Sequence, residues 1–286
     1  MRVSCESGCG GRQIPAVNGG GIAGSRADVG SCGMALRGMP GMETRLHFDF
    51  LKQPDNTTCG PTCLHAVYRY LGLGLSLDEV IRDVPSFSGG GTLAVMLGCD
   101  ALRRGFDARI FTFNLQVFDP SWFRSDGYVL DGLNLDEKLL AQSSFKPKEK
   151  LQRACESYRE FLKLGGRLRM EDLTGNLIRR HLQQNIPLLT GLSSTYLYRE
   201  RREHPQTGQA DDVAGIPSGH FVVLCGYDPE TRSVLVADPF HPNPLSNDYK
   251  YEVPLDRVVC SILLGILTYD ANLLVIRPRR PAVALG

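Results

Sequence analysis

The stretch Gln53-Pro54-Asp55-Asn56-Thr57-Thr58-Cys59-Gly60-Pro61-Thr62-Cys63 constrains this chain most. Thr57 and Thr58 are good helix N-caps, and proline is tolerated in a first helical turn, as at Pro61. Leu64, Val67, Tyr68 and Leu71 then recur at helical spacing, and Gly72 can close the helix. Cys59 is therefore expected at the N-terminus of a buried helix. There the macrodipole and unsatisfied N–H groups favour a thiolate.

Two later segments carry matching chemistry. Gly219-His220-Phe221-Val222-Val223-Leu224 reads as a histidine opening an apolar strand. Val234-Leu235-Val236-Ala237-Asp238-Pro239 reads as a strand ending on a carboxylate. The turn Asp228-Pro229-Glu230-Thr231 joins the two strands into a hairpin. Antiparallel pairing brings His220 and Asp238 to the same end of that hairpin, although 18 residues separate them. A thiol, an imidazole and a carboxylate are the parts of a cysteine nucleophile site.

Gln53, five residues, Cys59-Gly60, a His opening a strand and an Asp-Pro closing the next resembles the C39 and C39-like cysteine peptidases. The resemblance runs from Phe48 to Pro278. It implies a papain-like α+β fold, with an N-terminal helical part packed on an antiparallel sheet. It implies Cys59 as nucleophile, His220 as base and acid, and Asp238 as the group that orients the imidazole. Gln53 would supply an oxyanion donor beside the Cys59 backbone N–H. The activity implied is a thiol protease, a hydrolase acting on a peptide or protein substrate without cofactor or metal. A papain-like acyltransferase or amidase uses the same acyl-enzyme, and a silent peptide-binding domain would share the fold. Many family members are fused to exporters and cut after a double glycine. This chain shows no nucleotide-binding motif, and Gly10-Gly11 and Gly19-Gly20 fit glycine-rich disorder as well as self-processing.

Several residues compete for these roles. Cys63 lies one helical turn after Cys59 and is expected to face the core. His241 is a substitute base, Asp228 a substitute carboxylate at the opposite end of the hairpin, and His65 points away from Cys59 by spacing. A zinc set of Cys59, Cys63, His220 and Cys225 conflicts with strand geometry.

The remaining chain bounds the reading. Charged residues make up 22% and apolar residues 42% of 286, with net charge +1, so nothing pulls toward nucleic acid or membrane. Nine cysteines without regular spacing argue for a reducing, cytoplasmic setting, and Cys99, Cys155, Cys225 and Cys260 read as small core residues. The most apolar run, Val258 to Leu267, is about half the ~20 residues a membrane span needs. Residues 1–42 hold eleven glycines and no aromatic residue, and read as a disordered leader. One reading makes Met42 the natural start, with the leader outside the native protein. Cys5 and Cys9 lack a second ligand pair for a metal hairpin. The domain is expected over 43–278 and a basic tail over 279–286.

Helices are expected after Ser76 (a capping box with Glu79), after Thr92, over 134–142, 147–164, 171–184 and 255–264. Strands are expected near 108–114, 187–192 and 273–276. Residues 193–218 show no period and are expected to form a flap beside the site.

Overall fold

The computed structural model describes residues 43–279. The leader, Met42 as a start, Cys5, Cys9 and the tail beyond Arg279 lie outside the described residues.

In chain order the elements are β1 (Thr44–Arg45), α1 (Cys59–Tyr70), α2 (Leu77–Asp83), α3 (Ala94–Arg103), β2 (Phe106–Thr112), α4 (Leu135–Phe145), α5 (Glu149–Lys163), β3 (Arg167–Arg169), α6 (Gly175–Leu182), β4 (Leu188–Ser193), α7 (Ser194–Tyr198), β5 (Gly219–Asp228), β6 (Ser233–Ala237), β7 (Lys250–Pro254), α8 (Leu255–Leu264) and β8 (Asn272–Pro278). The strands form one sheet in the order β3-β2-β8-β4-β5-β6-β7, with β1 also paired to β5. Every pairing is antiparallel except β2–β3. The expected α+β class holds, with a parallel edge that the sequence reading did not contain.

Helix α1 is buried from Cys59 through Tyr68, with Thr62 Oγ1 and His65 Nε2 bonded to the Thr58 and Leu75 carbonyls. Gly60 permits its close approach: a Cβ there would stand 2.6 Å from Thr92 Cγ2 and 3.2 Å from the Phe221 ring. Gly72, at φ +86°, lies just past the C-cap Leu71, where a left-handed residue ends a helix.

The capping box at Ser76 forms as expected, with Ser76 Oγ accepting from Glu79 N and Glu79 accepting from Ser76 N. Thr92 does not cap α3. Its hydroxyl donates to the Pro85 carbonyl, and the buried Asp270 carboxylate accepts from Ala94 N at 3.0 Å instead. A side chain 176 residues away has replaced the local cap. Two further expectations need correction. Leu263 and Leu264 are exposed, so α8 buries one face only, and Cys260 on its outer side is exposed while Cys99, Cys155 and Cys225 are buried. Residues 193–218 are not without structure: they hold α7, and Glu203 bridges to both Ala210 and Ile216. Among the described residues no helix is long and apolar enough to cross a membrane.

Candidate active site

The hairpin places base and acid. Strands β5 and β6 pair Gly226 with Leu235, then Leu224 with Val236, leaving Cys225 as an extra residue. Side chains alternate along a strand, so one extra residue reverses the faces of everything beyond it. The pairing continues with Val223 opposite Ala237, which sets Asp238 opposite Val222. Asp238 thus shares a sheet face with Val222 and with His220, two residues on. Without the bulge at Cys225 it would share the face of Phe221.

His220 Nε2 donates to Asp238 Oδ1 at 2.8 Å, and the Cys59 side chain is near enough to the same imidazole ring to raise its pKa. Nε2 is taken by the carboxylate, so Nδ1 is the nitrogen left for the sulfur. Three of the residues singled out from the sequence are therefore brought together. Burial alone would pull the His220 pKa down. The negative charge of Asp238, its hydrogen bond and the Cys59 side chain outweigh that, and the imidazole is pushed up to about 10. Asp238 responds in kind: burial works against its charged form, yet His220 and two tyrosine hydroxyls hold its carboxyl below the ordinary range.

Those tyrosines escaped the sequence reading. Tyr198 Oη donates to Asp238 Oδ2 at 2.7 Å and Tyr251 Oη to the same oxygen at 2.5 Å. Phe240 N donates to Oδ1 at 2.9 Å. With His220 this makes four donors on a carboxylate that is 0% exposed, which is what a buried charge needs. Burial, with the Asp238 charge beside it, raises the pKa of both tyrosines far above normal, so they remain donors. Signals for both were present. Lys250-Tyr251-Glu252-Val253 alternates as a strand, and Ser193 caps a short turn that ends on Tyr198.

Cys59 is the first residue of α1. Its N-cap Thr58 makes no side-chain cap, because Thr58 Oγ1 is turned back to Asp55, accepting from its N–H at 3.3 Å and donating to its carbonyl at 3.2 Å. Proline at Pro61 has no N–H, and no acidic side chain occupies the first turn. The N–H groups at the helix entrance thus keep capacity for an anion. Asp55 organises the approach loop by accepting from Thr57 N and Oγ1, both at 2.7 Å. Gln53 is 7% exposed. Its Nε2 donates to Asp55 O at 2.9 Å, and its backbone N–H donates to Pro239 O at 3.0 Å. The loop before Cys59 is thereby tied to the loop after Asp238. One Nε2 hydrogen remains available, since an amide nitrogen has two.

Beside these residues lies a cleft with an open volume of about 710 Å³, lined by Gln53, Asn56, Tyr198, Glu200, His220 and Phe240 among others. Part of its wall comes from residues 194–203 and 218–219, the segment expected as a flap. Cys59 is 9% exposed and contributes no lining surface, so Gln53 and His220 frame the approach to it. The Phe240 ring meets His220 edge-on at 6.3 Å.

The competing residues are elsewhere. Cys63 is fully buried and its S–H donates to Phe221 O, and burial with the Cys59 and Asp238 charges raises its pKa well above normal. His241 stacks on Tyr249 at 4.2 Å, and Asp228 holds the hairpin turn through Glu230 N and Thr231 Oγ1. His65 bonds the Leu75 carbonyl. The Cys225 sulfur meets Leu235 O, so the zinc set does not converge. Among the described residues no group of three or more His, Cys, Asp or Glu side chains could hold a metal ion.

Solved structures to which the chain shows some similarity include a double glycine motif protease from an AMS/PCAT transporter in complex with the leader peptide. It shows 13% identity, TM-score 0.38, and coverage of 84% of this chain and 100% of that one. A Bacillus anthracis protein described as C39-like shows 13% identity, TM-score 0.43, and coverage of 84% and 100%. Xylellain, a cysteine protease from Xylella fastidiosa, shows 14% identity, TM-score 0.39, and coverage of 83% and 86%. No curated protein matches the chain. The family model described as "Peptidase_C39 like family" matches residues 147–259, a span that includes His220 and Asp238 and begins after Gln53 and Cys59. Residues 147–259 are thus similar to the Peptidase_C39 like family, the family that the sequence motifs resemble.

Proposed function

We propose that this chain is a cysteine peptidase that cleaves an amide bond through an acyl-enzyme on Cys59. The observation that carries the reading is the His220 ring, held by Asp238 at 2.8 Å and acted on by the nearby Cys59 side chain. An imidazole raised to about 10 stays protonated at neutral pH and holds the proton that the departing amine needs.

In the first half-reaction the Cys59 sulfur attacks the substrate carbonyl carbon. The carbonyl electrons move to oxygen, and the Cys59 backbone N–H and the second Gln53 Nε2 hydrogen stabilise that oxyanion. The tetrahedral species collapses by breaking the C–N bond, and His220 protonates the departing amine. In the second half His220 takes a proton from water, the resulting oxygen attacks the thioester, and the sulfur leaves as thiolate. Asp238 keeps the ring in position and stabilises its charged form. The substrate is a peptide or protein, entering by the cleft beside Gln53 and His220.

A peptide-library digest with wild type, Cys59→Ala and His220→Ala tests this. Cleavage by wild type and loss in both variants is the expected result. Cleavage retained in Cys59→Ala contradicts it. Rapid labelling of Cys59 without any cleavage, followed by product formation when an amine acceptor is added, assigns the acyl-enzyme to transfer instead.

A further inference from the structure

We infer that the β3-β2-β8 end of the sheet holds a second site, remote from Cys59, that binds the phosphate group of a small multivalent anion. The parallel pair β2–β3 sets Arg109 beside Arg167, Ile110 beside Leu168 and Phe111 beside Arg169. On β8, Arg277 stands opposite Asp107, and Val275 opposite Arg109. Alternation sends Ile110 and Leu168 to the core and leaves Arg109, Arg167, Arg169 and Arg277 on one face. Like charges directly across a strand pair are destabilising unless something neutralises them.

The protein's own carboxylates do so only in part, and among the described residues none pairs with Arg109. Asp107 pairs with Arg167 at 3.5 Å and with Arg279 at 3.6 Å. Glu171 pairs with Arg169 at 3.3 Å and Arg180 at 2.8 Å. Asp126 pairs with Arg124 and offers Arg169 only its carbonyl, while the Arg169 guanidinium lies 3.9 Å over the Tyr128 ring. Arg169 Nε is buried without a hydrogen-bond partner, in a side chain only 13% exposed. Among the described residues, Arg109 is half-buried and has no ion pair or hydrogen bond from its side chain. Burial, then Arg167, Arg169 and Arg277, lower its pKa, and the same field acts on His181, which burial, Arg180, Arg277 and Arg109 push down.

Between these groups is a cavity of about 30 Å³, open to solvent and lined by Asp107, Ala108, Arg109, Arg167, Val275 and Arg277. It is too small for a folded partner, and a phosphate group would sit at its mouth with its oxygens toward Arg109 and Arg167. Guanidinium forks match phosphate oxygens two at a time, and an excess of arginine over carboxylate favours a ligand with more than one negative charge. Strand β4 separates β8 from β5, so this site and the His220 pair occupy different parts of the sheet.

The test is calorimetric titration of the full chain with inorganic pyrophosphate, alongside a phosphoserine peptide and, at matched ionic strength, sulfate. Saturable pyrophosphate or phosphopeptide binding in the millimolar range or tighter, weakened about tenfold by Arg109→Gln and by Arg167→Gln, supports the site. The tighter of the two ligands identifies a free or a peptide-borne phosphate. The Arg167 side chain is 57% exposed, so Arg167→Gln keeps the test informative if Arg109→Gln unfolds. No saturable binding, binding equal to sulfate, or affinity unchanged in Arg167→Gln overturns the inference.

Discussion

Tyr251 donates to Asp238 Oδ2 at 2.5 Å, from a strand next to the one that Asp238 terminates, and Tyr198 meets the same oxygen from α7 at 2.7 Å. The carboxylate is completely buried, so each hydroxyl replaces a water it has lost. Tyr251→Phe and Tyr198→Phe should each lower stability by about 1.5–3 kcal/mol, the usual range for a bond to a charged group. Urea denaturation measures this. An unchanged midpoint in both variants would mean the tyrosines do not hold the acid.

The imidazole gives a pH signature. His220 is raised from 6.5 to about 10 in the folded protein, so it binds its proton more tightly folded than unfolded. Its contribution to stability is fully present below pH 6.5 and is lost as pH rises through about 10. Asp238 has the opposite sense: its carboxyl is lowered, so its contribution is present above the ordinary 3.8 and is lost at more acid pH. Melting temperatures across pH 6 to 10 should fall more for wild type than for His220→Gln, and parallel curves would contradict the shift.

Asp270 offers a second pH dependence unconnected with the candidate site. Burial lifts its carboxyl to about 7, against the hydrogen bonds from Ala94 N and Asn272 Nδ2 and the charge of Lys150. A carboxyl raised in the folded state binds more protons there than in the unfolded chain between pH 3.8 and about 7, so stability falls as pH rises over that window. Asp270→Asn keeps an acceptor for Ala94 N and cannot ionise. Relative to wild type it should gain stability as pH rises from 4 to 7, and a constant difference would refute this.

Gly60→Ala should cost about 1–3 kcal/mol, because its Cβ would meet Thr92 Cγ2 at 2.6 Å. The displaced helix entrance carries Cys59, so thiol reactivity should fall together with stability. Unaltered labelling and melting would show that Thr92 yields without cost.

What the sequence disclosed was local in origin. A helix entrance at Cys59 is signalled by Thr58 and Pro61, although the Thr58 hydroxyl does not cap it, and a hairpin by two apolar runs around Asp228. The nearness of His220 and Asp238 followed from that hairpin's geometry. Contacts made across the sheet left no such trace. The bulge at Cys225 sets the face of Asp238, yet Cys225 sits in an unbroken apolar run. Asp270 caps α3 from far along the chain while the local candidate Thr92 is diverted to Pro85. Tyr198 lay inside a polar segment that periodicity passed over, and the parallel strand β3 is only three residues long.

The central claim is that the Cys59 sulfur is activated by an imidazole that Asp238 steadies. Iodoacetamide labelling of the folded protein at neutral pH, with the modified cysteine located by mass spectrometry, tests it most directly. The account predicts that Cys59 reacts faster than the other cysteines, and that His220→Ala slows it to the rate of an ordinary thiol. Equal rates in wild type and His220→Ala would contradict it.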